Sequence, residues 1–345
     1  MKFLLFLSLI GHALACSDFY MNFTSHKLSG RTMDLGAMSN WTLTSWPTDA
    51  EDYIGQPPLA PWKPKIGVVG ITANWFGDDK YGFPSLFADS LNEQGLSCSL
   101  LALNVAGYEE KSDTKTNVFA GLFCFYVAQN YGNVYDLKDA LPGIAIWGPD
   151  ALSQHFIVHD ASGASLIVEV VGGKQHVYLD TNSGVDGNVG VFTNEPTFDW
   201  HQQNIEHYEW KRTLARQAIA VPGNFYPEDR FLRAYMMKSG MQDMGLMDAD
   251  FQEAFSLTVQ VMNTVTVPQG NQYGTDSGSG EGSGDHSCWG LVRDHKEPAL
   301  YWRDATNPTF RKIRVQDVLS NHGPRKRALK METGPFFIDM TTEMR

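Results

Sequence analysis

Residue 16 is a cysteine that directly follows Ala13-Leu14-Ala15, a small-residue A-x-A cleavage signature. A cut there makes Cys16 the first residue of the mature chain and places a free α-amine and a thiol on one residue. An α-amine titrates at about 7.7–8.0 and a free thiol at about 8.5, so the amine is matched as general base for its own thiol and no histidine is required. Two other readings start from the same position: a bacterial lipoprotein cysteine acylated on sulfur, and an inert N-terminal cysteine. A thiolate gains from a nearby cation and an ammonium from a nearby carboxylate. Arg31 and Asp34, in the segment GRTMDLG, supply one of each, and a hairpin would bring that segment back beside Cys16. Taken alone, Gly30-Arg31 reads as a turn followed by a surface arginine.

Other chemistry-bearing signatures are missing from the sequence. It contains no G-x-S-x-G, no H-E-x-x-H and no G-x-x-x-x-G-K-[ST]. The glycine-rich run at 278–284 has no following lysine and reads as linker, not phosphate cradle. His155 and His159 share one face of a predicted strand. With no matching cysteine or carboxylate pattern they read as structural, not as metal ligands. No cofactor is expected.

Length and composition set the compartment and the class. The chain has 345 residues, 43% hydrophobic and 19% charged, with a formal net charge of −12. That is globular composition with material for a core, and it excludes wholesale disorder. An acidic balance argues against nucleic acid or an anionic membrane surface as main partner. Residues 1–15 combine Lys2 with an apolar run at 3–10 and the A-x-A site, which reads as a secretory signal peptide too short to span a membrane. Losing Lys2 takes the net charge to −13. No later stretch approaches the roughly 18 apolar residues of a spanning helix. The mature protein is expected to be soluble and extracytoplasmic, periplasmic or secreted. Asn22-Phe-Thr24 and Asn40-Trp-Thr42 are glycosylation sequons if the source is eukaryotic.

The elements that must position Cys16 follow from periodicity. Strands are predicted at 17–23, 27–33, 66–73 and 96–105, and a meander at 155–159, 164–171 and 175–180 with glycine turns. A short strand at 190–194 follows. Residues 40–64, rich in Trp and Pro, read as an irregular aromatic loop. Helices are predicted at 116–130, 134–141, 200–219, 229–238 and 248–262. Residues 274–284 (GTDSGSGEGSG) read as a loose loop, and strands close the chain near 287–294, 298–304 and 311–315. Strands, then helices, then strands describe an α+β plan, with the late strands free to pair with the first ones. Only about 60 residues follow the Gly/Ser tract, too few for a comfortable separate core, so residues 16–345 are expected to form one domain.

Cys16 followed by GRTMDLG resembles the start of the choloylglycine hydrolase and penicillin V acylase family. Further segments agree in order: FADSLNEQGLSCSLLAL at 87–103, HFIVHDASGASLIVE at 155–169, VFTNEPTFDWHQQN at 191–204, PGNFYPEDRFLRA at 222–234 and YWRDATNPTFRKI at 301–313. The resemblance covers nearly the whole mature chain and speaks against the lipoprotein reading. It implies an N-terminal-nucleophile amidase with an αββα sandwich, acting on linear amides of apolar acyl groups such as penicillin V, N-acyl homoserine lactones or conjugated bile salts. A silent or lipid-anchored relative on the same scaffold is the alternative.

The resemblance also implies roles. Cys16 supplies thiolate and basic amine, Arg31 stabilises the thiolate, and Asp34 orients the α-amine. Asn194 points its amide N–H at the developing oxyanion, and Arg230 supports the network around Cys16 and Asn194. The second oxyanion donor falls by register on the backbone N–H of Ala102, where the bile-salt branch carries Asn; Asn104 is the weaker substitute. Ser90 and Asn224 replace the usual Gly and Asp. Residues 205–221 read as plain helix where the bile-salt branch has a long insertion, so that branch's tetramer is not expected. Together with Ala102 this favours phenoxyacetyl or medium-chain fatty amides over glycine or taurine conjugates. Trp41, Trp46, Trp62, Trp75, Phe76 and Tyr81 are candidates for the acyl wall or for packing. Cys98 and Cys124, both in apolar runs, read as buried packing residues; with Cys288 they make three thiols, so at least one is expected to stay out of a disulfide unless the protein dimerises covalently.

Overall fold

Cys16 lies in the first strand of the protein, and both faces of that strand are covered. The computed structural model describes residues 14–35, 41–49, 62–73, 87–149, 153–181, 190–215, 220–270, 286–320 and 327–343. Strands β1 (Leu14–Asn22) and β2 (Lys27–Leu35) form the predicted hairpin, pairing Cys16 with Met33 and Asp18 with Arg31. Residues 16–21 are all buried, so the hairpin reads as a continuous buried run without alternation.

Among the described residues, two antiparallel sheets build the sandwich. One has six strands in the order β12-β1-β2-β13-β14-β15, with β12 at Val191–Phe192, β13 at His286–Asp294, β14 at Ala299–Asp304 and β15 at Asn307–Arg314. The expected return of the late strands is met by β13, which pairs with β2 along its length. The other sheet has eight strands in the order β11-β10-β9-β6-β5-β4-β3-β16. Its strands are β3 (Trp41–Trp46), β4 (Val68–Ala73), β5 (Phe87–Asn92), β6 (Ser97–Ala102), β9 (Gln154–His159), β10 (Ser165–Val171), β11 (Lys174–Asp180) and β16 (Arg327–Lys330). A small parallel pair, β7 (Thr116–Phe119) and β8 (Ile144–Trp147), stands apart.

Helices cover the outer faces. α1 (Phe123–Asn130) and α2 (Val134–Ala140) pack on the eight-stranded sheet. Against the six-stranded sheet lie α4 (Pro227–Asp243) and α5 (Phe251–Val265), with α3 (Phe198–Ala215) packed against α4. A short α6 (Val315–Ser320) follows β15. The helix α5 forms where the sequence dictates. Asp250 caps it by accepting the Glu253 N–H, and Ala254, Leu257, Val261, Met262 and Val265 line one buried face. Helix, sheet, sheet, helix is the αββα order expected, in an α+β protein.

Three local readings are corrected, and one left open, that of Trp46 and Trp62, is decided. The 40–64 segment was expected to be irregular, yet Trp41–Trp46 is strand β3, whose Thr42 and Thr44 alternate with Trp41 and Leu43. Residues 116–130 were expected as one helix. The first four are β7: Thr116-Asn117-Val118-Phe119 is too short a stretch for its period to separate it from the apolar helix that follows. Trp46 and Trp62 are core residues: Trp46 packs against Phe87 and Phe125, and Trp62 donates its Nε1–H to Gln129. Cys98 on β6 and Cys124 on α1 are buried as expected but joined in a disulfide, because α1 lies directly over β6 with the two Cα atoms 5.0 Å apart. Cys16 and Cys288 form no disulfide among the described residues. Residues 1–13, Asn40, Trp75, Phe76, Tyr81 and the 274–284 tract lie outside the described residues.

Candidate active site

The thiol of Cys16 faces the gap between the two sheets. Its Sγ lies 3.5 Å from Met33 Sδ and 3.8 Å from Arg31 Nη2. Arg31 is fully buried and fixed by three other acceptors. Nη2 donates to Leu100 O at 2.6 Å, and Nη1 donates to Ala88 O at 2.7 Å and to Asp89 Oδ2 at 3.1 Å. Burial pushes the Cys16 thiol up to about 11, while Arg31 pulls it down. That burial belongs to the chain with Ala15 still attached, in which β1 continues back to Leu14.

Asp34 sits on the opposite face of β2, toward the helices. Its Oδ1 accepts the Ser287 hydroxyl at 2.5 Å, and its Oδ2 lies 3.7 Å from Arg230 Nη1 with no hydrogen bond from the described residues. Burial raises the Asp34 carboxyl to about 6, against the opposing pull of Arg230 and the Ser287 hydroxyl. The Cys16 N–H donates not to Asp34 but to Asn194 Oδ1, at 2.6 Å.

Arg230, in the first turn of α4, ties these pieces together. Nη1 donates to Cys16 O and to Ser17 Oγ, both at 2.6 Å, and Nη2 donates to Asn194 Oδ1 at 2.9 Å. Asn194 follows β12, and its Nδ2 donates to Ala102 O at 3.1 Å at the end of β6. Asn104 is exposed, and its N–H donates to Glu195 Oε1 at 2.6 Å. The structure thus gathers Cys16, Arg31, Asp34, Ala102, Asn194 and Arg230 in one place, from five separate segments. Trp41 stands nearby, edge-on to Trp289, over which the Arg31 guanidinium lies.

Behind Arg31 runs a buried ionic layer that sequence reasoning missed. Arg293 on β13 donates twice to Asp89, at 3.0 and 2.7 Å, and to Asp18 Oδ2 at 2.7 Å. Ser99 Oγ lies 2.8 Å from both carboxylates, which share its one hydroxyl proton, and His159 pairs with Asp18 at 3.0 Å and with Ser165 at 2.7 Å. Burial opposes ionisation of Asp18, yet Arg293 and His159 hold its carboxyl below the usual range. Nothing in the sequence marked Arg293 or Ser287. Asp89 and Ser99 lie inside the family-like 87–103 segment, and that was their only signal. His155 and His159 each bind neighbouring side chains, and no group of metal-binding residues occurs among the described residues.

A sequence model of the linear amide C–N hydrolases, choloylglycine hydrolase family, matches residues 16–317. The chain belongs to this family. The choloylglycine hydrolase match begins at the very cysteine on which the site is centred. Among curated proteins the chain is 28% identical over 270 residues to a bile salt hydrolase/transferase of Clostridium perfringens, covering 71% of this chain and 76% of that one. It is 27% identical over 351 residues to a penicillin V acylase of Pectobacterium atrosepticum, covering 94% and 86%. Two solved structures share the fold. A variant conjugated bile acid hydrolase of Clostridium perfringens has a TM-score of 0.75 at 23% identity, over 91% of this chain and 96% of that one. A penicillin V acylase of Agrobacterium tumefaciens has 0.73 at 22%, over 91% of each. The protein is therefore a linear amide C–N hydrolase of the choloylglycine hydrolase family.

Proposed function

We propose that the mature protein is an extracytoplasmic amidase that starts at Cys16 and cleaves N-acyl amides through a thioester on that residue. The observation that carries this reading is the convergence of Arg31, Asp34, Asn194 and Arg230 on a cysteine placed directly after an A-x-A site. Once Ala15 is gone, the amide nitrogen of Cys16 becomes an amine. Asp34, whose Oδ2 is ion-paired with Arg230 at 3.7 Å and accepts no hydrogen bond within the described residues, is the carboxylate positioned across the Arg230 network to hold it as an ammonium. The amine takes the thiol proton, and the thiolate attacks the acyl carbon beside Arg31. Asn194, with the backbone at Ala102, stabilises the oxyanion. The tetrahedral intermediate then collapses as the C–N bond breaks and the amine returns its proton to the leaving nitrogen. Water hydrolyses the thioester and regenerates Cys16.

The Cys98–Cys124 disulfide supports an oxidising compartment and hence the signal-peptide reading. For the substrate we favour phenoxyacetyl or medium-chain fatty amides over glycine- or taurine-conjugated bile salts. That preference rests on Ala102 and on the short 205–221 segment. Among the described residues Trp41 is the aromatic candidate for the acyl wall, since Trp46 and Trp62 are committed to the core.

The test is to isolate the protein made with residues 1–15, weigh its N-terminus, and measure kcat/KM on the three amide classes. A free N-terminal Cys16 and turnover lost in Cys16→Ala are expected. An acylated Cys16, or full turnover with Ala15 retained, would refute the mechanism. A clear preference for bile salts would refute the substrate assignment alone.

A further inference from the structure

The backbone that presents Asn194 is held from two sides by imidazoles. His201, in the first turn of α3, places Nε2 3.1 Å from the carbonyl oxygen of Asn194. His155, on β9, places Nε2 3.0 Å from the carbonyl oxygen of Thr193, and its Nδ1 lies 3.0 Å from Glu169 Oε1. Glu169 on β10 in turn accepts the N–H of Phe198, where α3 begins, at 3.1 and 3.2 Å. All three side chains are buried.

The proton positions follow from the partners. A carbonyl oxygen only accepts, so each Nε2 carries a hydrogen. The His201 ring stacks on Phe231, centroids 4.1 Å apart and 8° from parallel, and its Nδ1 has no hydrogen-bond partner. Burial draws its pKa down to about 4, so near neutral pH the ring has one N–H, already given to Asn194 O. It has no proton left to shuttle.

We propose that His201 and His155 are positioning residues for the hydrolysis: by anchoring the consecutive carbonyls of Asn194 and Thr193 they fix the direction in which the Asn194 amide points at Cys16. The proposal rests on the cysteine-amidase reading above. The Asn194 carboxamide meets three fixed partners at once, the Cys16 nitrogen, Arg230 and Ala102 O. Rotating either flanking peptide would swing it off that line. A misplacement of about 1 Å at a reacting centre costs on the order of 10²-fold in rate. The arrangement also accounts for the otherwise unexplained pairing of a histidine and a glutamate fourteen residues apart in the 155–169 meander.

The test uses His201→Gln, which keeps an N–H donor of similar reach, and His201→Phe, which keeps the stack on Phe231 and loses the donor. Both are compared with the processed wild-type enzyme. In H201F, kcat is expected to fall on the order of tenfold to 10²-fold with KM within about twofold, since the interaction acts on the transition state. H201Q is expected to keep kcat within about threefold. If H201F keeps wild-type kcat, or if H201Q falls as far as H201F, the hydrogen bond does not position Asn194 and the proposal is overturned. Should H201F not fold, His201→Asn takes its place: it remains polar but is too short to reach the carbonyl, and wild-type kcat in H201N would overturn the proposal equally. A wild-type enzyme with no amidase activity would instead defeat the underlying reading, which Cys16→Ala tests separately.

Discussion

Asp34 and Ser287 face each other across the β2–β13 ladder, the serine hydroxyl 2.5 Å from Asp34 Oδ1. The same hydroxyl accepts the Val267 N–H, so it is held from the end of α5. Burial raises the Asp34 carboxyl to about 6, and the Ser287 bond is one of the interactions that keep it from rising further. Ser287→Ala should therefore raise it again. A protonated Asp34 cannot hold the Cys16 ammonium, so the acid limb of the kcat/KM profile should move to higher pH, leaving the plateau rate nearly intact. A pH–rate profile of the processed enzyme checks this, and an unmoved acid limb would dismiss Ser287 as a tuning group.

Asp89 is the one charged group among the three acceptors that hold Arg31 beside the thiol, and it is itself gripped by Arg293. Breaking a buried pair by neutralising one partner costs about 3–5 kcal/mol, because the charge left behind stays buried. Asp89→Asn should lower the urea midpoint by a corresponding amount. An exposed pair such as Arg314–Asp317 makes the control, since removing it should cost no more than about 1 kcal/mol. If the two substitutions cost the same, the buried layer is not what holds Arg31.

What the sequence revealed of this site depended on distance along the chain. Cys16, Arg31 and Asp34 lie within one hairpin, so position and charge suggested their meeting, and the family-like GRTMDLG segment was needed to favour it over a surface arginine. Asn194 and Arg230, well over 150 residues away, were legible only through family-like segments. Arg293 and Ser287 reach Asp18 and Asp34 across 275 and 253 residues. They sit in an apolar strand with no local pattern, and only the β2–β13 pairing gives them meaning. The Trp-rich 40–64 stretch concealed β3 for a different reason. Its prolines lie after residue 46, and they made the whole window look irregular.

The Cys98–Cys124 disulfide closes a loop of sequence separation 26 between β6 and α1. β6 carries Leu100 O, which holds Arg31, and ends at Ala102, which meets Asn194. A loop of this size gives about 3.5 kcal/mol in the chain-entropy account. Replacing both cysteines by alanine should lower unfolding free energy by about that much, while kcat at low temperature stays close to normal. Alkylation of the denatured, unreduced protein should label two thiols, Cys16 and Cys288. Four labelled thiols would mean that the bridge does not form.

Acid should destabilise the fold through its buried histidines, and His201 isolates the effect. An unfolded histidine titrates at about 6.5, whereas burial brings the folded His201 to about 4. Between these values the unfolded chain binds more protons, so stability falls as pH drops through that window. His295, held well below its usual value by burial with His159 and Arg293 close by, acts in the same direction. Asp34 acts in the opposite one, because a folded carboxyl at about 6 binds its proton before the unfolded chain does. Total stability against pH therefore mixes the signs, but a difference between variants does not. At pH 7, H201F should be less stable than wild type, having lost the bond to the Asn194 carbonyl. At pH 4.5 that gap should narrow by on the order of 2 kcal/mol or reverse, since phenylalanine has no proton to bind. Urea unfolding of both proteins at the two pH values measures it, and a gap that stays constant would show that His201 keeps an ordinary pKa in the folded state.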